Sequence, residues 1–185
     1  MVNSTLESLI GCLRTGLHHA TSVSNYRLIL SSGCIRYNHG GLPFSFGESR
    51  LSNCYDLRAV SLFDFETPSI EAIFDDISQM KWETVLFHHH PTVLLGFRRR
   101  DLSGQLIEYA EAKRRCGFGG IIPHIEVCHI GSIPVSAAFQ TVVADRSDTV
   151  DFHTDYTFEK YDGFQIPNSD LARWTKRVSK RRVQN

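Results

Sequence analysis

The strongest constraint on the fold is a strand that runs directly into a helix, in LHHATSVSNYRLILSSGCI, residues 17–35. Residues 17–21 have the pattern of a short strand. Ser22 or Ser24 can then cap a helix, because a serine side chain accepts a hydrogen bond from the first helical turn. Gly33 is suited to end that helix, since glycine readily adopts the left-handed conformation found there. The segment therefore predicts a strand, a turn and a helix in succession.

Strand-like and helical patterns alternate along the remaining sequence. Ser4 followed by Glu7 forms a capping-box pattern that begins a first helix, and Gly16 ends it. Further helices are expected at residues 68–80, 103–116 and 168–183. Further strands are expected at residues 59–65, 85–90, 92–97, 121–130 and 138–144. These elements predict an α+β fold, in which helices pack on the faces of a curved, split, mainly antiparallel β-sheet.

The sequence contains no internal repeat, low-complexity tract or evident linker that would divide residues 1–185. A chain of this length supports one domain with a sizeable core. We therefore expect a single domain, with a basic helix or tail at residues 168–185.

Charge gives no global argument for a nucleic-acid, membrane or acidic partner, because 20 basic and 20 acidic residues balance. The one asymmetry is at residues 173–182, which hold six basic side chains and no acid. Such a strip can contact phosphates or can simply be the solvated face of a helix.

Cysteine usage indicates a reducing compartment. The five cysteines form an odd set without a CxxC pair, which argues against a disulfide scaffold. The chain also lacks a secretory signal pattern and any apolar run long enough to span a bilayer. We therefore expect a cytoplasmic protein without a membrane partner.

The first candidate site is His19-Ala20-Thr21 at the end of a predicted strand, with Asn25 following. A histidine beside a hydroxyl at a strand end can hydrogen bond to a ribose or an amide, and the backbone of the turn can pair with a planar carboxamide. The alternative is a helix cap with a partly buried histidine.

The second candidate site lies in residues 43–65, where Ser45 ends a strand-like run and Tyr55 precedes the next one. A tyrosine here can wall a pocket and offer a ring for stacking. The alternative is an ordinary polar connection whose tyrosine only packs.

The third candidate site is Glu126, in the predicted strand at residues 121–130. Alternation places its side chain on the same face as Ile122, His124 and Cys128. Burying an unpaired carboxylate costs several kcal/mol, so Glu126 should line a cleft or meet a fixed partner. It is the strongest single candidate for a functional residue.

Two clusters of one residue type are weaker signals. The histidines at 88–90 cannot all face one site on a strand, and no acid or cysteine stands at a spacing that completes a zinc site, so we expect no metal. The arginines at 98–100 favour a solvated turn, although they could hold an anionic ligand.

Taken in chain order, the three candidate segments resemble the ADP-ribosyltransferase superfamily, especially its bacterial toxin and abortive-infection branches with DarT-like and AbiGi-like proteins. HATSVSNYRLILSSGCI is similar to the opening segment of that family, PFSFGES with Tyr55 to the second, and PHIEVCHIGSIPVSA to the strand that presents the glutamate of the family.

The resemblance implies that the protein binds and consumes NAD. His19 would contact the ribose, the backbone at Ala20 would pair with the nicotinamide amide, and Glu126 would hold a hydroxyl of the nicotinamide ribose. That carboxylate would stabilise the positive charge that develops on the ribose as the glycosidic bond breaks. The other residues assigned to NAD are Thr21, Asn25, Ser45 and Tyr55.

An acceptor residue also follows from the resemblance. His124, two residues before the glutamate, stands where the family selects the acceptor. Arg98 and Arg99 are assigned to the same substrate from the arginine run itself, which could hold an anionic ligand. His18 competes with His19 for the contact with NAD. We also expect His19 and Glu126 to lie on adjacent or facing strands and to share one cleft.

The implied function is an NAD-dependent mono-ADP-ribosyltransferase toxin of a bacterial toxin–antitoxin or phage-defence system. It would release nicotinamide and transfer ADP-ribose to a nucleic acid, which is slightly favoured, or to a protein. A neutralising antitoxin is an expected partner. The alternatives are an RNA 2'-phosphotransferase of the same fold and a non-catalytic binding module.

Overall fold

The computed structural model describes residues 3–4, 6–37, 52–68, 91–102, 104–117, 125–148 and 154–182. Helices within these ranges are α1 (Leu6–Leu13), α2 (Val23–Ser32), α3 (Asn53–Asp56), α4 (Tyr109–Cys116) and α5 (Asn168–Arg182). Strands within them are β1 (Asn3–Ser4), β2 (Leu17–Ser22), β3 (Cys34–Ile35), β4 (Ala59–Asp64), β5 (Thr92–Phe97), β6 (Gln105–Ile107), β7 (Glu126–Ile130), β8 (Ile133–Pro134), β9 (Gln140–Asp148) and β10 (Thr154–Asp162).

Eight of these strands form one sheet in the order β1-β10-β9-β5-β2-β4-β7-β6, and β3 pairs with β8 beside it. Every pairing between described strands is antiparallel. The predicted α+β class, with a mainly antiparallel sheet flanked by helices, is therefore confirmed.

Helices cover both faces of the sheet. On one face, α2 and α5 pack over apolar side chains of the central strands, including Leu62, Leu95 and Val127. On the other face, α1 packs over residues that include Phe63 and Leu94. The short helices α3 and α4 enclose a smaller cluster on the β7 side. No helix within the described ranges has the length and apolar character needed to span a membrane.

The predicted strand, turn and helix at residues 17–33 form as expected. Ser22 is the N-cap of α2, and its hydroxyl accepts a hydrogen bond from the backbone N–H of Asn25 at 3.0 Å. Gly33 ends the helix in the left-handed conformation, with φ of 72°. Local capping chemistry therefore defines both ends of this helix.

The central strand β2 is paired unequally with its two neighbours. It forms six residue pairs with β5, from Leu17 opposite Phe97 to Ser22 opposite Thr92. With β4 it forms only two, Leu17 opposite Asp64 and His18 opposite Phe63. The sheet therefore parts between β2 and β4 from His19 onward.

Tertiary pairing overrides local propensity in three places. The predicted helix at residues 103–116 begins only at Tyr109, because residues 105–107 form β6 and pair with β7. Ser4 does not begin a helix but lies in β1, opposite Tyr156. Strand β10 was not predicted. The predicted strand at 85–90 lies outside the described residues, as does the predicted helix at 68–80 except for residue 68.

Candidate active site

Glu126 is the first residue of β7 and is only 1% exposed. Its Oε1 accepts hydrogen bonds from the hydroxyls of Ser52, at 2.6 Å, and Ser61, at 2.9 Å. A buried carboxylate loses its hydration, and hydroxyl donors at fixed positions replace part of it. The expected fixed partner of Glu126 is thus a pair of serines.

Ser52 is held in place by its own role as a helix cap. Its hydroxyl oxygen accepts a hydrogen bond from the backbone N–H of Cys54 at 3.1 Å, while its proton is donated to Glu126. Ser61 lies on β4, next to β7, two residues before Phe63, the residue paired with Glu126. One local turn and one strand register therefore bring both hydroxyls to the same carboxylate oxygen.

A disulfide joins α3 to β7 beside this carboxylate. It connects Cys54 to Cys128, whose Cα atoms are 5.2 Å apart and which are separated by 74 residues in the sequence. The odd cysteine count argued against a disulfide scaffold, and the structure nevertheless contains this one disulfide. The spacing of the cysteines in the sequence did not indicate this pair, because only the folded structure brings Cys54 and Cys128 together. Cys12, Cys34 and Cys116 are free cysteines.

His19 lies where β2 leaves β4. Its Nδ1 is 3.0 Å from the backbone carbonyl oxygen of Ser61. Burial lowers the pKa of His19, although the hydrogen bond to Ser61 opposes that shift, so the ring is neutral at neutral pH. Because a carbonyl oxygen can only accept, Nδ1 carries the proton and Nε2 keeps its lone pair.

His19 and Glu126 are connected through Ser61 but do not share one face of the sheet. Strand β4 lies between their strands, so the expectation of adjacent strands was wrong. Glu126 is paired with Phe63, which is paired with His18, and alternation therefore places His19 on the opposite face, so the expectation of one shared cleft was also wrong. Ser61 bridges the two, with its carbonyl toward His19 and its hydroxyl toward Glu126.

His18 belongs to the core. It is 0% exposed, and its Nε2 accepts a hydrogen bond from the side-chain amide of Gln140 at 2.9 Å. Burial lowers the pKa of His18 to about 4. Of the two histidines that competed for the contact with NAD, only His19 has any exposed surface.

The remaining residues of the first candidate segment have mainly structural roles. Thr21 is 4% exposed and is paired with Val93 of β5. Ala20 packs against the apolar cluster under α1. Asn25 is partly exposed in the first turn of α2 and lies toward the end of β2 remote from Glu126. The structure therefore does not bring these three residues to the carboxylate.

Tyr55 does lie close to the site. It is partly buried in α3, three residues after Ser52, and its ring centroid is 6.0 Å from that of Tyr37. The two rings are tilted by 58°. Ser45 and His124, the other predicted ligand contacts, lie outside the described residues.

Arg99 is tied to two carboxylates and is a structural residue. Its guanidinium pairs with Asp64 at 2.5 Å and with Glu108 at 2.5 Å. Burial alone would raise the pKa of Asp64, but hydrogen bonds from Thr67 and Arg99 hold it below its usual range. Arg98 is about half exposed and lies over the ring of Phe139. The assignment of Arg99 to the acceptor therefore conflicts with its pairing.

An open groove of about 560 Å³ lies beside Arg99 and its two carboxylates. It is at the end of the central strands, where β2 begins and β4 and β5 end. It is lined by Thr15, Glu66, Thr67, Arg98, Arg99 and Arg100. Neither His19 nor Glu126 lines it. Neighbouring carboxylates offset its arginines, so it does not have the charge of a phosphate cradle.

Sequence reasoning missed Ser52 and Ser61. The signal for Ser61 was a lone hydroxyl in the apolar strand AVSLFDF, and the signal for Ser52 was a capping residue before the NCYD turn. Neither signal points to Glu126, which is 74 and 65 residues away in the sequence. Both contacts depend on the strand order of the folded sheet.

Among the described residues, no group of three or more histidine, cysteine, aspartate or glutamate side chains is arranged to hold a metal ion. Comparison of the chain with protein-family models, curated proteins and solved structures finds no match.

Proposed function

We propose that the protein is an NAD-dependent ADP-ribosyltransferase in which Glu126 is the catalytic carboxylate. The observation that carries this proposal is a buried glutamate whose Oε1 is held by two serine hydroxyls. A carboxylate fixed in a water-poor site stabilises positive charge more strongly than one in water, because the local dielectric is low. Cleavage of a ribosyl bond develops such a charge.

The proposed reaction breaks the bond between the ribose and nicotinamide, and nicotinamide leaves as a neutral molecule. The ribose gains oxocarbenium character, which Glu126 stabilises as carboxylates do in glycoside cleavage. An acceptor oxygen or nitrogen then forms the new bond to the ribose and loses its proton. Glu126 can also orient the acceptor or receive that proton.

Other residues supply positioning. His19 is not proposed to hold the ribose that Glu126 contacts, because its side chain lies on the opposite face of the sheet. Tyr55, packed against Tyr37 one turn after Ser52, would offer its ring to nicotinamide. Ser61 would position Glu126 through the hydrogen bond from its hydroxyl to Oε1.

A nucleic acid is the proposed acceptor, in preference to a protein. Two arginines of the basic strip at residues 173–182 are not free to contact phosphates, because Arg173 pairs with Glu159 and Arg177 with Asp145. The support that remains is the stretch 171–182, which contains no acid and in which Lys176 is exposed. A cytoplasmic toxin of this kind requires a neutralising antitoxin as its partner.

The alternative of an RNA 2'-phosphotransferase requires free clustered cations to grip a phosphate. Its only support was the arginine run at 98–100. Since Arg99 is paired with Asp64 and Glu108, that support is lost.

The test is to incubate the full chain with labelled NAD and, separately, with RNA, single-stranded DNA or cell protein. We expect label in a nucleic acid, and less label after Lys176→Gln, Lys180→Gln and Arg181→Gln are combined. Label only in protein, independent of the tail, would contradict the acceptor and leave the transferase assignment standing. No transfer to any of the three would contradict the assignment itself.

A further inference from the structure

The disulfide joins the two elements that hold the candidate carboxylate in place. Cys54 is the second residue of α3, and Cys128 is two residues after Glu126 on β7. Ser52 caps α3 and donates to Glu126 at 2.6 Å. One short helix therefore carries both the cross-link and the hydrogen bond.

We propose that Ser52 is a positioning residue for Glu126, and that the redox state of Cys54 and Cys128 decides whether Ser52 is in place. Its catalytic consequence rests on the proposed function. Reduction by a low-molecular-weight dithiol transfers two electrons and two protons, breaks the S–S bond and leaves two thiols, while the dithiol closes to its own disulfide. A low-molecular-weight disulfide reverses the exchange.

The helix α3 depends on such an anchor, because a helix of four residues is not stable by itself. The side-chain amide of Asn53 is buried, and neither its Oδ1 nor its Nδ2 has a hydrogen-bond partner among the described residues. A buried polar group without a partner disfavours the docked position. The disulfide holds α3 against this unfavourable contribution.

Opening of α3 and reduction of the disulfide are coupled. Cys54 is 2% exposed and Cys128 is 0% exposed, so a reductant can reach their sulfurs only when α3 moves away from β7. The same movement removes Ser52 from Glu126. Cys116, whose Sγ is 3.8 Å from the carbonyl oxygen of Asn53, is a matched control for a thiol beside α3 that is outside the pair.

The first measurement is amide hydrogen exchange on the full chain, oxidised with glutathione disulfide or reduced with dithiothreitol. Alkylation and intact mass define the two states, since three of the five cysteines are free in the oxidised form. The amides of Cys54, Tyr55 and Leu57 bond to Ser52 or Asn53. We expect them to exchange at least roughly tenfold faster after reduction. Equal exchange in both states would overturn the proposal.

The second measurement is the rate of nicotinamide release. Reduction should lower kcat roughly tenfold with little change in KM, because one hydrogen bond to the carboxylate is lost. Ser52→Ala should cause the same loss in the oxidised protein and abolish the response to reduction, whereas Ser52→Thr should retain both activity and response. Cys116→Ala should respond like the wild type.

Additive losses from Ser52→Ala and reduction would overturn the role of Ser52, because two steps that act through one bond cannot add. Absence of nicotinamide release in both redox states would contradict the proposed function instead. Hydrogen exchange then still decides, independently of activity, whether the disulfide holds α3.

Discussion

At the scale of single residues, Glu126 is buried because two serine hydroxyls take the place of water around Oε1. Its position could be predicted from the sequence, since a carboxylate in an apolar strand needs a partner. The partners could not, because they come from α3 and β4. Alternation within one strand is a local property, whereas strand order is not.

Neighbouring histidines show the same contrast. The sequence could not distinguish His18 from His19, but the register places one in the core and the other at the parting of β2 and β4. Alternation predicts that they differ in environment. Which of them is fully buried depends on the elements that cover each face.

His18 makes the protein sensitive to acid. Its pKa falls to about 4 on folding, from an ordinary value near 6.5. Between these values the unfolded chain binds a proton at residue 18 that the folded protein does not, so the free energy of unfolding decreases as the pH falls. We expect a loss of about 2 kcal/mol from this residue between pH 7 and pH 5.

Urea unfolding of the wild type and of His18→Asn at both pH values measures this effect. The variant keeps a polar partner for Gln140 but cannot titrate, so its stability should depend less on pH by about that amount. An equal pH dependence in the two proteins would show that His18 is not the source.

At the scale of elements, α5 contacts strand β10 of the sheet through a cluster of polar side chains. Arg173 pairs with Glu159 of β10 at 2.5 Å, and the hydroxyl of Tyr161 donates to the same carboxylate. Trp174, which is 1% exposed, places its ring beneath Arg177. The bounds of this helix were predicted to within a residue, but the acids that hold its arginines lie on strands that register alone brings near it.

Glu159→Gln should loosen this helix. The substitution removes the charge that Arg173 and Tyr161 share, and we expect a loss of about 1 kcal/mol in the free energy of unfolding, with faster amide exchange along α5. Glu111→Gln is the control, because within the described part of the chain Glu111 pairs only with Arg114 and Arg115 of its own helix. Equal effects of the two substitutions would contradict the docking role of Glu159.

At the scale of the whole molecule, sequence pattern predicted the class of fold and most of its central strands, and strand order decided the site. Capping and periodicity define α2 and β2 because their causes are local. Strands β6 and β10 escaped prediction because their stability comes from pairing with β7 and β9. The Cys54–Cys128 disulfide likewise exists only through the antiparallel order of the sheet.

The central claim, that Glu126 is a catalytic carboxylate, is tested most directly by nicotinamide release from NAD by the wild type, Glu126→Gln and the exposed control Glu7→Gln. The glutamine is nearly isosteric, and its amide oxygen can still accept from Ser52 and Ser61, so circular dichroism and thermal unfolding should remain close to those of the wild type. We predict that Glu126→Gln releases nicotinamide at least about a hundredfold more slowly and that Glu7→Gln is unchanged. Release by a folded Glu126→Gln protein at the wild-type rate would contradict the claim.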